Sequence, residues 1–247
     1  LSIQYSYPEW IVAEWVASFG EQAAEELLKS RPAPVEVRAQ YPFTREELLR
    51  TLPVGAVVNR WDKNSLALEH GFDFASSPLF CEGKFTVMSQ AAMLACRALG
   101  NVRGQRVLDA CAAPGGKSAY LSSLFENELS LTCWELHEHR KELLDRTLER
   151  LHVSAETAQK DASAFDPAFV EKFDAVLVDA PCSGLGLLGD KPDIRYAKTD
   201  ADLSALAELQ SRILDACSRY VRPGGILLYA TCTISRRENE EQTARFL

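Results

Sequence analysis

Cysteines paired at metal-ligand or disulfide spacing are missing from this chain. The seven present, Cys81, Cys96, Cys111, Cys133, Cys182, Cys217 and Cys232, include no C-x-x-C pair, and an odd number leaves no closed framework. Their absence as pairs points to reduced thiols and a cytoplasmic setting. Histidine is scarce as well: of four, only His137 and His139 are close, in a charged stretch that reads as a solvated helix face, so no metal is expected. Long apolar runs are also lacking. The longest, Ala175 to Val178 and Gly225 to Ala230, fall far short of the roughly 20 residues of a membrane span, and the N-terminus has no basic-then-apolar export pattern. Positive charge is in deficit, with 27 Lys and Arg against 35 Asp and Glu and a net charge of -8. A nucleic-acid binder usually neutralises phosphates with a basic face, so any such contact must be local. Candidate cations are Arg45, Arg50, Arg60, Lys63, Lys84, Lys191, Arg195, Lys198, Arg236 and Arg237.

What is abundant is core material: 47% of the 247 residues are hydrophobic, with 11 Phe, 7 Tyr and 4 Trp, enough for one substantial core and a small accessory unit. From Pro8 to Lys29 apolar residues recur at helical spacing and break at Gly20, which predicts two short helices. Val35 to Ala39 alternates like a strand, Thr44 with Glu47 forms a helix-capping signature, and Val57 to Leu68 offers one or two more strands. This predicts a helical lead-in over 1–30 and a small α+β, RNA-binding-like subdomain over 31–77. Across 78–247 strands and helices then alternate: strands at Arg106–Asp109, Leu129–Glu135, Ala155–Gln159, Phe173–Asp179 and Ile226–Thr231, with helices between them, the last of them running from about Asp202 to Val221 and ending at Pro223-Gly-Gly225. Such alternation predicts an α/β domain with a mostly parallel sheet covered on both faces.

In an open parallel sheet ligands bind beyond the carboxyl ends of the strands. The segment Asp109 to Ser118 occupies the first strand-to-helix turn, with Gly115 and Gly116 letting backbone approach a ligand. It fails as a phosphate loop, because Cys111 stands where the first glycine is needed. It fails as a dinucleotide fingerprint, because its two glycines are adjacent. An acidic strand end followed by small residues suits a ligand bearing a sulfonium and an amino group but no phosphate. Glu135 ends the second strand, where ribose hydroxyls are held in dinucleotide folds, and Asp161 follows the third, toward an adenine edge.

Two more strand ends carry thiols: Asp179-Ala-Pro-Cys182-Ser-Gly and Thr231-Cys232-Thr233. A lone cysteine there is most often core filler; two, each directly after an apolar strand, predict a shared crevice. A thiolate adding to carbon 6 of cytosine would turn carbon 5 into an enamine-like nucleophile able to take a methyl group. Asp179 is positioned in sequence to favour that addition at the N3 edge of the base.

Residues 31–247 resemble the Sun/Fmu (NOL/NOP2/Sun) family of RNA cytosine-5 methyltransferases through Asp109 to Ser118, Asp179 to Gly186 and Thr231-Cys232 in combination. Ser6-Tyr-Pro-Glu-Trp10 is similar to the lead-in of bacterial members that modify small-subunit ribosomal RNA. The resemblance implies a Rossmann-like methyltransferase sheet of order 3-2-1-4-5 and an RNA substrate, ribosomal before transfer RNA. It also implies S-adenosyl-L-methionine (AdoMet) held by Cys111, Ala112, Ala113, Pro114, Gly115, Gly116, Lys117, Glu135, Asp161 and Asp179. Cys232 is then the nucleophile, and Cys182 assists product release. No obligate protein partner is implied, and a monomer is expected. Departures are Val87-Met88-Ser89 where members often carry Val-Gln-Asp, and Arg38-Ala39-Gln40 where Arg-Val-Asn is usual. The chain also ends one helix after the fifth strand and lacks the NusB-like domain of ribosomal members, so a fragment of a longer protein with reduced RNA affinity is expected. Two rivals differ in class. A DNA cytosine-5 methyltransferase would use the Pro-Cys thiol and have no Thr-Cys; a non-catalytic RNA- or ribosome-binding scaffold would have no need of both thiols.

Overall fold

The computed structural model describes residues 1–247. Along the chain lie α1 (Ser2–Tyr5), α2 (Glu9–Phe19), α3 (Glu21–Leu28), β1 (Glu36–Ala39), α4 (Arg45–Thr51), β2 (Ala56–Val58), β3 (Ser65–Leu68), α5 (Pro78–Cys81), β4 (Phe85–Val87) and α6 (Gln90–Arg97). They are followed by β5 (Arg106–Asp109), α7 (Gly116–Leu124), β6 (Ser130–Glu135), α8 (Glu138–Arg150), β7 (Glu156–Gln159), β8 (Phe173–Asp179), α9 (Ile194–Ala197), α10 (Asp200–Ser218), β9 (Val221–Ala230) and α11 (Glu240–Phe246). Two compact units are interleaved in sequence. The larger comprises Pro34–Asp179 and Ala216–Tyr229, the smaller Leu1–Ala33, Ala180–Asp215 and Ala230–Leu247. No helix is long and apolar enough to cross a membrane.

The larger unit holds a five-stranded sheet of order β7-β6-β5-β8-β9, the 3-2-1-4-5 arrangement expected from the resemblance. β5 pairs in parallel with β6 and with β8, and β6 with β7. β8 is apolar almost throughout, from Phe173 to Val178, because helices cover both faces of the sheet and leave no wet side for alternation. One face packs Val107, Leu131, Cys133, Ala175 and Leu177 against Met93, Tyr120, Leu144 and Leu148 of the surrounding helices. Each such fully buried Leu or Val contributes roughly 1.5–3 kcal/mol of transfer free energy. On α8 only Leu144 and Leu148 are buried while the charged remainder faces solvent, as its sequence periodicity requires.

The long helix expected to run to Val221 and stop at Pro223-Gly-Gly225 ends sooner, at Ser218. β9 starts at Val221 and runs through these residues. The Phe173 N–H donates to Tyr220 O (3.0 Å) and the Ala180 N–H to Ala230 O (2.9 Å). The longer β9 side of this pairing swells at Gly224, whose φ is +78°. A Cβ on Gly225 would lie 2.6 Å from Asp174 O, so the close approach of the two strands needs glycine there.

A second sheet of the same unit has order β2-β3-β1-β4, with every pair antiparallel. Thr44 and Glu47 form the anticipated reciprocal cap at the start of α4, a feature worth about 1 kcal/mol. Its core combines Val37, Leu48 and Leu66 with a phenylalanine cluster in which Phe72 and Phe74 lie 4.5 Å apart and Phe80 and Phe85 5.5 Å. In the smaller unit, Gly20 (φ +82°) ends α2 and begins α3, separating the two expected helices. Ile11, Trp15, Ala24 and Leu28 on these helices pack with Leu185, Leu188 and Leu203.

Candidate active site

In the larger unit the loop after β5 is anchored to both neighbouring strands: the Ala110 N–H donates to Leu177 O (2.9 Å) and the Ala112 N–H to Trp134 O (2.8 Å). Gly115 adopts φ +103° to open α7, and a Cβ there would meet Leu144 Cδ1 at 3.1 Å. Nothing lies within 4 Å of where a Gly116 Cβ would be, so the loop is open on that side. Asp109 is fully buried at the end of β5. Its Oδ2 accepts from Ser118 Oγ at 2.6 Å, whereas Oδ1 has no partner. Burial raises the Asp109 pKa to about 7, with the Ser118 hydroxyl bond opposing the rise. An orphaned carboxyl oxygen in a small-residue loop is chemically able to receive a cationic group.

The other expected cofactor residues stand at successive strand ends. Glu135 is buried. Its Oε1 accepts from His137 N–H (3.0 Å), and Arg140 Nη2 lies 3.7 Å from its Oε2 while donating to Ala113 O (3.0 Å), which ties β6 to the loop. Asp161 is exposed and closes a local turn, accepting from Ser163 N–H and Oγ. Its neighbour Lys160 donates its backbone N–H to Glu135 O (2.9 Å). Asp179 Oδ2 accepts from Lys117 Nζ at 2.6 Å. Burial works against the Lys117 charge, but the Asp179 carboxylate outweighs it and keeps the ammonium above its usual pKa. Sequence spacing carried no sign of this ion pair, which joins the first turn of α7 to the end of β8.

In the smaller unit the two thiols meet. Cys182 Sγ and Cys232 Sγ are 3.1 Å apart with no disulfide between them, and the Cys232 N–H also donates to Cys182 Sγ at 3.3 Å. The hydrogen bond with Cys232 and then burial push the Cys182 thiol far up, so Cys182 holds its proton. Cys96, Cys133 and Cys217 are buried with thiols pushed up by burial, so these three behave as apolar filler, whereas Cys111 is half-buried in the loop after β5 with its thiol likewise raised by burial.

What keeps the pair together was not legible as a motif. Ser183 follows Cys182 and Thr233 follows Cys232, and their hydroxyls lie 2.9 Å apart. The fully buried Glu238 accepts from Ser183 N–H (2.8 Å), from Ser183 Oγ and from Gln210 Nε2 (2.9 Å). Gln210 Nε2 also donates to Pro181 O at 2.9 Å. Asn239 Nδ2 donates to Thr233 O and Ser235 O, each at 3.0 Å. A Cβ on Gly186 would lie 2.9 Å from Cys232 O, so glycine permits the tight stacking of the two loops. Glu238 and Asn239 sit in the run Arg236-Arg-Glu-Asn-Glu-Glu241, which reads as a solvated surface. The neighbouring Arg237, a candidate cation, is instead held by Glu14 (2.9 Å) and Asp200 (2.7 Å).

Residues 96–247 match the protein-family model described as 16S rRNA methyltransferase RsmB/F. The chain is 37% identical to the probable ribosomal RNA small subunit methyltransferase B of Bacillus subtilis, covering 100% of this chain and 57% of that protein. It is 35% identical to ribosomal RNA small subunit methyltransferase B of Shewanella oneidensis, covering 100% and 58%. It thus spans less than two thirds of the length of these curated relatives. Among solved structures, the methyltransferase homolog protein from Pyrococcus horikoshii superposes with a TM-score of 0.83 at 27% identity, over 98% of this chain and 79% of that one. NSun6 from Pyrococcus horikoshii with SFG, at 18% identity and TM-score 0.85 over 96% and 86%, shares the fold.

Proposed function

The chain belongs to the RsmB/F family of 16S rRNA methyltransferases, and from that premise we propose that it methylates carbon 5 of a cytosine in small-subunit ribosomal RNA, with Cys232 as covalent nucleophile and AdoMet as methyl donor. The observation that carries this reading is the 3.1 Å approach of the two thiols, in which Cys182 retains its proton and Cys232 is its hydrogen-bond partner.

AdoMet supplies a sulfonium-activated methyl group. The residues of the first loop fit such a ligand: the orphaned Asp109 Oδ1 suits its ammonium, and the open backbone at Gly116 admits close approach. Glu135 and Asp161 are suited to the ribose and adenine ends, with Cys111 to Lys117 forming the cradle. No phosphate-binding loop competes.

The Cys232 thiolate adds to carbon 6 of the cytosine and the ring electron pair moves toward N3, which takes a proton from solvent, the Asp179 carboxylate accepting a hydrogen bond from the N3–H so formed. Lys117, 2.6 Å from Asp179, holds that carboxylate in place. With the donor held by the first loop, carbon 5 would take its methyl group, and S-adenosylhomocysteine would be the leaving group. Loss of the carbon-5 proton to solvent returns the electron pair, Cys232 departs as thiolate, and the N3 proton is released. The protonated Cys182 thiol steadies the departing sulfur by donating to it. Glu238 is a positioning residue that holds the two thiol-bearing loops in register.

Cys232→Ala is expected to abolish methyl transfer from labelled AdoMet. Cys182→Ala is expected to leave the protein joined to RNA in an adduct that survives a denaturing gel. The opposite pattern, with Cys182→Ala inactive and Cys232→Ala accumulating adduct, would assign the nucleophile to the Pro-Cys thiol and overturn the reading.

A further inference from the structure

The turn joining β2 to β3 carries a feature that methyl transfer does not use. Trp61 is 60% exposed there, the most exposed tryptophan or phenylalanine among the large apolar residues at the surface. The Arg60 guanidinium lies over its indole, 4.7 Å from the ring centroid. The turn is held on both sides of this side chain. The Trp61 N–H donates to Gln90 Oε1 (3.1 Å), and Gln90 Nε2 donates to Glu36 Oε1 (2.8 Å). The next residue, Asp62, is fully buried and accepts from Asn64 N–H (2.8 Å) and Arg97 Nη1 (3.0 Å), as well as from the Tyr120 hydroxyl.

An indole anchored this firmly through its backbone, yet left in water, is not serving the core. Its exposure forgoes most of the burial free energy available to so large a ring. The cations beside it are equally uncommitted: Arg60 and Lys63 enter no ion pair, in contrast to Arg45, Arg97 and Arg237. Lys63 and Asn64 also line a cavity of about 660 Å³ whose wall includes Tyr41, Phe43, Arg97 and Asn101. In a chain of net charge -8, an unpaired Arg and Lys flanking an exposed aromatic form a local positive spot. That combination of a π-face with uncommitted cations is what a single-stranded nucleic acid requires, since bases stack on aromatics without sequence preference and phosphates seek unpaired cations.

We propose that the β2–β3 turn is a base-stacking platform for a single-stranded segment of the RNA substrate, with a base on Trp61 and the flanking phosphates on Arg60 and Lys63. It rests on the reading of an RNA substrate given above and adds where, and in which strandedness, the RNA is gripped. The cavity beside Lys63 gives the strand a polar path away from the platform.

The test measures binding of the chain to a labelled 12-nucleotide single-stranded oligoribonucleotide of mixed sequence, and to the same strand in a duplex, by fluorescence anisotropy. Trp61→Ala is expected to weaken single-strand binding about ten-fold or more, the size of one lost base stack. Trp61→Phe, which keeps a π-face, should stay within about three-fold of the parent on the same scale. Lys63→Gln should lower the salt slope of log K by about 0.7, the release expected for one phosphate contact on a single strand. Melting temperatures should not move, since the indole is exposed. Equal affinity of Trp61→Ala and parent, or an equal loss on duplex and single strand, overturns the platform and leaves the methyl-transfer reading intact. If neither protein binds the oligonucleotide the platform is likewise overturned, and the Cys182→Ala adduct assay on ribosomal RNA then decides the functional reading separately.

Discussion

The loop after β5 and the paired loops after β8 and β9 hold reactive groups at strand ends by different means. The first is shaped by backbone: a positive φ at Gly115, an open Gly116, and main-chain bonds from Ala110 and Ala112 to the flanking strands. The second is shaped by side chains that converge from distant positions, with Ser183, Gln210, Thr233 and Glu238 meeting around one buried carboxyl. A backbone cradle tolerates side-chain change and presents a fixed surface, as a ligand common to many enzymes requires. A pair of thiols that must meet within 3.1 Å needs its spacing set by a braced network.

If the two loops are independent, a perturbation of one leaves the other's function unchanged. The largest expected effect is oxidative. Two thiols and hydrogen peroxide give a Cys182–Cys232 disulfide and two waters, so brief peroxide treatment should eliminate methyl transfer. Dithiothreitol should restore it, and AdoMet binding by calorimetry should stay unchanged throughout. Persistence of activity after the disulfide is detected by mass spectrometry would remove Cys232 from the chemistry.

Next in size, Glu238→Gln should reduce kcat about 10- to 100-fold, as small misplacements of reacting groups do, with KM for AdoMet moved less than two-fold on that same premise of independence. Rescue by Asp would show that only the carboxyl matters. A parallel rise in KM for AdoMet would break the separation of the two loops. Glu238→Ala should in addition destabilise the fold by about 1–3 kcal/mol for each buried donor left unpaired.

Asp109 gives a pH signature confined to the cofactor loop. Its folded pKa, about 7, lies above the ordinary 3.8, so between those values the folded chain binds a proton that the unfolded chain releases. Stability from this group is therefore present at low pH and is lost as pH rises from about 4 to about 7. Asp109→Asn should flatten that part of the melting-temperature profile while weakening AdoMet. In the parent, AdoMet affinity should rise with pH through about 7, because its ammonium prefers the ionised carboxylate. A parent and variant with identical pH profiles would detach Asp109 from the cofactor. Smallest of all, Glu135→Ala should shrink the AdoMet-induced rise in melting temperature without abolishing it, as expected by linkage for one lost contact.

Much of this architecture was readable in advance because it is local. The period of Phe173 to Asp179, the cap at Thr44 and the break at Gly20 each depend on a few adjacent residues, and each recurs in the structure. The start of β9 was misplaced because Pro223-Gly-Gly225 carries strong turn chemistry, and only pairing with β8 draws it into the sheet. Glu238 was passed over because its neighbours in sequence are charged and exposed, whereas its neighbours in space are Ser183 and Gln210. The likeness of Arg237 to an RNA-contacting cation disappears for the same reason, since Glu14 and Asp200 approach it from 223 and 37 residues away.

By itself the sequence determined the strand and helix periods, the small-residue loop with acids at successive strand ends, and the presence of a thiol after each of the last two strands. Those features are properties of short segments, where steric and hydrophobic preferences act between near neighbours. Only the tertiary structure decided that Cys182 and Cys232, 50 residues apart, come within 3.1 Å, that Lys117 neutralises Asp179, and that Glu238 is buried. Such contacts arise when the sheet closes and excludes water, and no local pattern encodes which distant polar groups then become partners.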